Sequence, residues 1–340
     1  MRYLIVGAGA LGGYLAARLA LAGHPVSVVA RGPHLDAMRA AGGLVLVEPG
    51  AAERFAPLRA VASVDDAPAA DVVMVALKAH QVADAAPAIA RAAAGASLLV
   101  PMQNGVPWWY FLRGYAGPFA GHRVASADPS GAIASALPID RLAPLFCFKS
   151  TEVVGPGRVR HLPSASEQHL CGALEEGDAS RLAPFVAELV GAGLPARAAP
   201  ARQTVWLKLL GNIFANPLCA LTQVPLGLAA ASPDGRALAT GLMGECVAVA
   251  AAHGVTIPMS ADERLARAAA VRDARPSMLQ DRDAGRPMEL DAILGGLVEL
   301  GRLVGVDTPT TRTLLACLRV VESARAPRGA DTPAADAPAA

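Results

Sequence analysis

The sequence has almost no surplus charge of either sign. Thirty Lys and Arg stand against 29 Asp and Glu, a formal net charge of +1 over 340 residues. A domain that binds nucleic acid normally carries a marked basic excess, so nucleic acid is not expected as a partner. Cysteine is scarce too. Cys147, Cys171, Cys219, Cys246 and Cys317 are odd in number and form no CxxC pair. Such a set offers neither a disulfide framework nor a zinc site, and it fits the reducing cytoplasm. The seven histidines show no HExxH or other ligand spacing, so no metal is expected. Aromatic residues make up only 4%, so much of the 53% hydrophobic content and the mean hydropathy of +0.38 comes from alanine. Long apolar runs are missing. The uncharged stretch 92–112 is broken by Pro101, Gln103, Asn104 and Pro107, and the stretch 209–233 by Asn212, Asn216, Pro217, Gln223 and Pro225. A membrane helix needs about 20 mostly apolar residues in a row, so no span and no membrane partner are expected. The apolar N-terminus contains Gly7, Gly9, Gly12, Gly13 and Arg18 and runs straight into a second β-like stretch, which argues against a signal peptide.

At about 150 residues per domain, the length suggests two domains. Residues 1–198 alternate β-rich runs (3–6, 26–30, 44–47, 72–76 and 97–100) with helical ones (10–22 and 79–94). That alternation predicts an α/β domain with a parallel sheet. Runs 145–148 and 158–162, around Gly155-Pro156-Gly157, add strands, and 179–191 adds a helix. From about residue 199 the β signal disappears. Helical stretches follow at 202–221, 235–253, 261–273, 289–303 and 310–323, which predicts an all-α second domain over 199–325. The Ala/Pro/Asp-rich tail 326–340 reads as disordered.

Gly7-Ala8-Gly9-Ala10-Leu11-Gly12 is a GxGxxG placed directly after a strand and opening a helix. Its glycines permit a tight turn, close backbone approach to a pyrophosphate, and close packing of helix on strand. The anion then meets free N–H groups at the helix start. At the end of the second strand an NAD site usually carries Asp or Glu on the ribose hydroxyls. This chain has Arg31 there, which can hold a 2′-phosphate, so NADP(H) is the expected cofactor. Lys78, after the strand at 72–76, offers a second positive charge near the nucleotide.

In the second half, Lys208, Asn212 and Asn216 are spaced four apart in an otherwise apolar helix. Each step of four turns only about 40°, so the three share one stripe and suggest a lined cleft. Other polar residues have two readings. Ser277-Met278-Leu279-Gln280 has the form of a capping box. Glu289, after Pro287, reads as a first-turn carboxylate favourable to the helix dipole. Asn104-Gly105 reads as a turn, although it sits where α/β sheets bind ligands, at the carboxyl end of a strand.

Five ordered motifs carry a resemblance over nearly all of residues 1–322: GAGALGG at 7–13, LKAHQ at 77–81, QNG at 103–105, WLKLLGNIFANPL at 206–218 and SMLQDRDAGRPMELD at 277–291. By these the chain resembles the 2-dehydropantoate 2-reductase (ketopantoate reductase) family. The resemblance implies a Rossmann-type domain joined to an all-α domain, with the site in the cleft between them. It implies NADPH-dependent reduction of ketopantoate to pantoate, toward pantothenate, with a 2-keto acid as the small-molecule partner; it allows a homodimer. Carried over by position, Lys208 is similar to the family's proton-donating lysine and Glu289 to the glutamate of the cleft. Asn212 and Asn216 match its substrate amides, Asn104 the asparagine touching cofactor and substrate, and Ser277 the serine on the substrate carboxylate. Two departures stand out. Lys149 falls where the family often has a Gly/Ala-rich strand end, which predicts an altered cleft, and Leu226 falls where some members carry a further asparagine. The alternatives are a reductase of the same fold acting on another 2-keto acid or an imine, or a non-enzymatic NADP-binding sensor, for which loss of the lysine would be expected.

Overall fold

A computed structural model describes residues 1–162 and 167–325; the tail expected to be disordered lies outside the described residues. The N-terminal half runs β1 (Tyr3–Val6), α1 (Ala10–Leu21), β2 (Val26–Val29), α2 (Gly32–Ala41), β3 (Gly43–Val47), β4 (Arg54–Pro57), β5 (Arg59–Val61), β6 (Val72–Val75), α3 (Val82–Ala93) and β7 (Leu98–Pro101). Five of these strands form a parallel sheet in the order β5-β2-β1-β6-β7. β1 is buried at all four positions, as a central parallel strand covered on both faces requires. The expected α/β architecture is therefore present.

The sequence reading misplaced one strand. Residues 43–47 lie outside this sheet. β3 pairs with β4, and with the strand Arg158–Leu162 of a separate four-stranded sheet. The short β5 takes the edge place beside β2. The next elements are α4 (Ala132–Ala136), β8 (Leu145–Phe148), β9 (Ser150–Gly155), β10 (Arg158–Leu162), β11 (Gln168–Ala173), α5 (Asp178–Gly191) and β12 (Ala196–Pro200). β12, β11 and β8 form a third sheet, tied to the first where Leu142 bridges Leu99. The expected helix at 79–94 begins later. Gln81 accepts from the Lys78 amide and closes a 3₁₀ turn over Ala79–Gln81 before α3 starts at Val82.

The second half is helical among the described residues: α6 (Ala201–Thr222), α7 (Leu226–Ala231), α8 (Pro233–Ala252), α9 (Ala261–Ala269), α10 (Ser277–Asp283), α11 (Gly296–Leu303) and α12 (Pro309–Arg325), with a π turn over Asp291–Gly295 leading into α11. By length and composition α6 could cross a membrane, but 78% of its most apolar window is buried within the protein, and it is the central helix of this half. α9 stops four residues short of the expected 273. Alternation along the sheet separates two cores. Tyr3, Ile5, Val72 and Met74 pack with α1 and α5. Leu4, Val6, Val73 and Val75 belong to a cluster that continues through Trp108–Phe111 to Trp206, Ile213 and Phe214 of α6 and Leu318 of α12. The two halves thus share one apolar core, which fixes the cleft between them.

Candidate active site

Gly7–Gly12 follows β1, and Lys78 follows β6. These neighbouring strands are the point where the strand order reverses, the usual ligand crevice of an open α/β sheet. Gly7 has φ +104°. A Cβ on Gly12 would lie 2.0 Å from the Gly7 carbonyl oxygen, so only glycine lets α1 begin this close to β1. A Cβ on Gly9 would meet nothing within 4 Å. Gly9 caps α1 without a side chain, no acid sits in the first turn, and the first intrahelical bond runs from Gly13 N–H to Gly9 O at 2.7 Å. The helix start is therefore open and positive, and it fits a pyrophosphate. Ala8 is buried, while Ala10 and Leu11 are half-buried at the same turn. Arg31, the residue before α2, is exposed.

Six other candidates meet across the two halves in two hydrogen-bonded groups, one around Glu289 and one around Asn216. Asn104, beyond β7, donates from Nδ2 to Glu289 Oε2 at 3.3 Å. Its Oδ1 accepts from Asn212 Nδ2 at 3.3 Å. Glu289 Oε1 accepts from the Ala79 amide at 3.0 Å, and Oε2 stands 3.5 Å from Lys78 Nζ. One turn further along α6, Asn216 Oδ1 accepts from Ser277 Oγ at 3.2 Å and from the Met278 amide at 3.1 Å.

Two bland readings fail here. Pro276 caps α10 and Ser277 is its first residue, so Ser277 is free to reach Asn216; Gln280 turns instead to the Arg275 carbonyl. No capping box forms. Glu289 precedes the helix, and its backbone carbonyl accepts from Ile293 N–H while its side chain faces the sheet domain. It is not spent on its own helix dipole.

Lys78 is clasped by the second half. Its ammonium lies 2.7 Å from Asp281 Oδ2, and Asp281 Oδ1 also accepts from Arg286 Nε at 3.0 Å. Burial would lower the Lys78 pKa, but the charges of Glu289 and Asp281 and their hydrogen bonds carry it above the ordinary lysine value. Asp281 went unassigned in the sequence although it lies within the SMLQD motif. Gly105 was read as part of a turn. Its φ is +85°, a Cβ there would sit 2.1 Å from the Ala292 carbonyl oxygen, and Val106 N–H donates to that oxygen at 2.8 Å. Glycine at 105 is what lets the Asn104 loop dock on the π turn.

Lys208 shares the α6 stripe with Asn212 and Asn216 but makes no hydrogen bond or ion pair among the described residues. Burial pushes its ammonium below the ordinary lysine value, opposed by Cys147 and by the Glu289 carboxylate. An amine that releases its proton readily, beside amides and a hydroxyl, can stabilise and protonate an oxygen on which negative charge develops. Lys149 does not line this cleft as expected. Its side chain is fully covered, 2.5 Å from Glu167 Oε1, with Nζ 3.1 Å from the centroid of the Tyr14 ring.

Comparison with known proteins gives the family. The family pattern "Ketopantoate reductase PanE/ApbA" matches residues 3–170, and "Ketopantoate reductase PanE/ApbA C terminal" matches residues 201–322. A 2-dehydropantoate 2-reductase of Mesorhizobium japonicum is 42% identical over 321 residues, covering 94% of this chain and 97% of the relative. The crystal structure of a PanE/ApbA family ketopantoate reductase from Ralstonia eutropha superposes with TM-score 0.79 at 30% identity, covering 96% of this chain and 99% of that one. That of a Geobacter metallireducens 2-dehydropantoate 2-reductase gives 0.80 at 26% identity, covering 94% and 100%. With both halves matched and the cleft assembled from the motif residues, the chain belongs to the ketopantoate reductase family of oxidoreductases.

Proposed function

We propose that the chain reduces ketopantoate to pantoate with NADPH, Lys208 acting as the acid. The observation that carries the reading is Lys208 itself: an amine with no partner among the described residues, its pKa lowered by burial, on the same stripe as Asn212 and Asn216. A sensor would not need such a group.

The start of α1 would hold the pyrophosphate, and Arg31 would meet the 2′-phosphate of NADPH. When bound, the cofactor supplies the hydride to the keto carbon. Lys208 holds the proton at Nζ and passes it to the keto oxygen as the C–O π electrons move there, so ketone, hydride and proton together give the alcohol. Glu289 favours the charged form of Lys208 until that moment. Asn104 is fixed by Glu289 and Asn212, and Ser277 by Asn216, so these groups are set before substrate arrives. Such prior orientation lowers the barrier without cost at the reacting step. Ser277 Oγ is assigned to the substrate carboxylate. The reading is tested by NADPH oxidation on addition of ketopantoate to the purified chain, with 2-ketoisovalerate, pyruvate and an imine alongside. Turnover with ketopantoate at the highest kcat/KM supports it, and a better rate with another acceptor would reassign the substrate.

A further inference from the structure

Glu289 stands where the chain passes from an exposed run into the core. Residues 283–287 are exposed, and Met288, Glu289 and Leu290 are buried. The step lies between elements: α10 ends at Asp283, and the π turn opens at Asp291. Gly285, at φ +68°, and Pro287 come between them. From this segment the Glu289 carboxylate reaches the Ala79 amide at 3.0 Å and Asn104 Nδ2 at 3.3 Å, both in the other half of the molecule. Such reach requires a fixed backbone.

The last turns of α12 supply the hold. Arg319, Glu322 and Arg325 are spaced three apart, so they share one face of the helix. All three meet the segment 282–291. Glu322 Oε1 accepts from the Met288 amide at 2.7 Å. Arg319 Nη2 lies 2.6 Å from Asp291 Oδ1, and Arg325 donates to the Arg282 carbonyl. The three contacts differ in weight. The Arg319–Asp291 pair is 59% and 63% exposed, and an ion pair so open to water contributes little. The Arg325 contact falls at the far end of the segment. The Glu322 bond is charge-assisted, half-buried and next in sequence to Glu289. On the other side, the Glu289 carbonyl accepts from Ile293 N–H at 3.3 Å. Met288 and Glu289 are thus held between two hydrogen bonds. The bland reading makes Glu322 a cap that satisfies a free N–H ahead of the π turn.

We propose that Glu322 is a positioning residue, whose hold on the Met288 amide sets the Glu289 carboxylate against Ala79 and Asn104. Its effect on turnover rests on the reading of Lys208 as the acid; its effect on Ala79 does not.

Amide hydrogen exchange of the full chain, resolved at Met288 and Ala79 by NMR, separates positioning from capping. Glu322→Ala speeds exchange at Ala79 by about tenfold or more, the scale of one lost hydrogen bond to a charged group. Glu322→Asp keeps the charge but falls one carbon short of the amide, and it does the same. Glu322→Gln keeps an acceptor at full reach and restores the protection. With NADPH and ketopantoate, the Ala and Asp variants lose about fivefold or more in kcat through lost orientation. Their alkaline fall in kcat moves to lower pH, and Glu322→Gln brings it back. Faster exchange at Met288 with Ala79 unmoved makes Glu322 a cap and overturns the proposal; Glu322→Asp decides if Glu322→Ala does not fold. An Ala79 amide that is unprotected in the unmodified chain overturns it equally. A chain that reduces no keto acid, yet loses Ala79 protection in these variants, would defeat the reductase reading and leave the positioning role standing.

Discussion

Asn104 and Glu289, 185 residues apart, share a 3.3 Å hydrogen bond that joins the end of the parallel sheet to the entry of the π turn. The same carboxylate holds the Ala79 amide and faces Lys78. Its charge also supports the protonated form of Lys208. Glu289→Gln keeps an acceptor of the same size and removes the charge. Turnover should fall at least tenfold, and the alkaline fall in kcat should move to lower pH, because Lys208 then loses its proton more easily. A change in melting temperature with an unmoved pH profile would leave Glu289 a purely structural role.

Lys208 must carry a proton to act as the acid. Activity is therefore present below its folded pKa and falls as pH rises through it. Burial lowers that pKa, so the fall should begin below the range of an ordinary lysine. Lys208→Ala should lower kcat by on the order of 10²-fold or more, the scale of general acid catalysis, and should lose the alkaline limb. Stopped-flow measurement of hydride transfer across pH in both proteins checks this, and near-normal turnover in the variant removes lysine from the mechanism.

Arg31 stands at the end of β2, exposed, where an acidic residue would accept ribose hydroxyls. NADPH should bind more tightly than NADH, and Arg31→Ala should weaken NADPH by about tenfold or more while changing NADH little, since only the 2′-phosphate bonds are lost. Fluorescence titration with both cofactors decides; equal dissociation constants in the unmodified protein would sink the assignment.

Gly105→Ala tests the junction between the halves. The new methyl would meet the Ala292 carbonyl at 2.1 Å, at a backbone φ of +85°. Strain and steric conflict should cost about 2 kcal/mol or more. Urea unfolding should show that loss, with kcat/KM falling alongside because Asn104 is displaced. A variant as stable as the unmodified chain would mean that the loop can leave the π turn freely.

The sequence made some parts of this molecule plain and left others obscure for physical reasons. GxGxxG, the lysine–asparagine stripe and the two-part organisation were legible because each rests on local spacing. The array of Asn104, Asn212 and Glu289 was legible only through resemblance, since contacts over a hundred positions leave no periodic trace. β3 was misplaced because a buried apolar strand reads alike in either sheet. The short strands β4 and β5 were missed because four and three residues give too little pattern. Ser277 and Glu289 looked like capping residues, whose composition cap chemistry and substrate chemistry share.

Lys149 supplies a last prediction, and its sign must be separated from a stronger opposing trend. Burial lowers its pKa to about 8, opposed by Glu167. In the unfolded chain it should titrate near ~10.4. Between these values the unfolded state binds more protons, so this group alone makes the fold more stable as pH rises, by up to about 3 kcal/mol. The buried thiols act in reverse. Burial raises Cys147 to about 11 and Cys171 and Cys219 to about 12, so above their unfolded value near ~8.5 the folded state retains protons that the unfolded state has lost. Net stability can therefore decline with pH even while Lys149 contributes the opposite. A difference measurement isolates the lysine. Lys149→Met replaces a covered ammonium with an apolar chain of similar length, and Glu167 keeps its 2.9 Å contact with His161 Nε2. At pH 7 the variant should be less stable than the unmodified protein, because Glu167 stays largely covered with His161 as its one remaining partner in this cluster. From pH 8 to 10 the unmodified protein should gain on the variant steadily. Urea unfolding of both at half-unit intervals checks the trend. A flat difference would mean that Lys149 keeps an ordinary pKa despite its full burial against Tyr14.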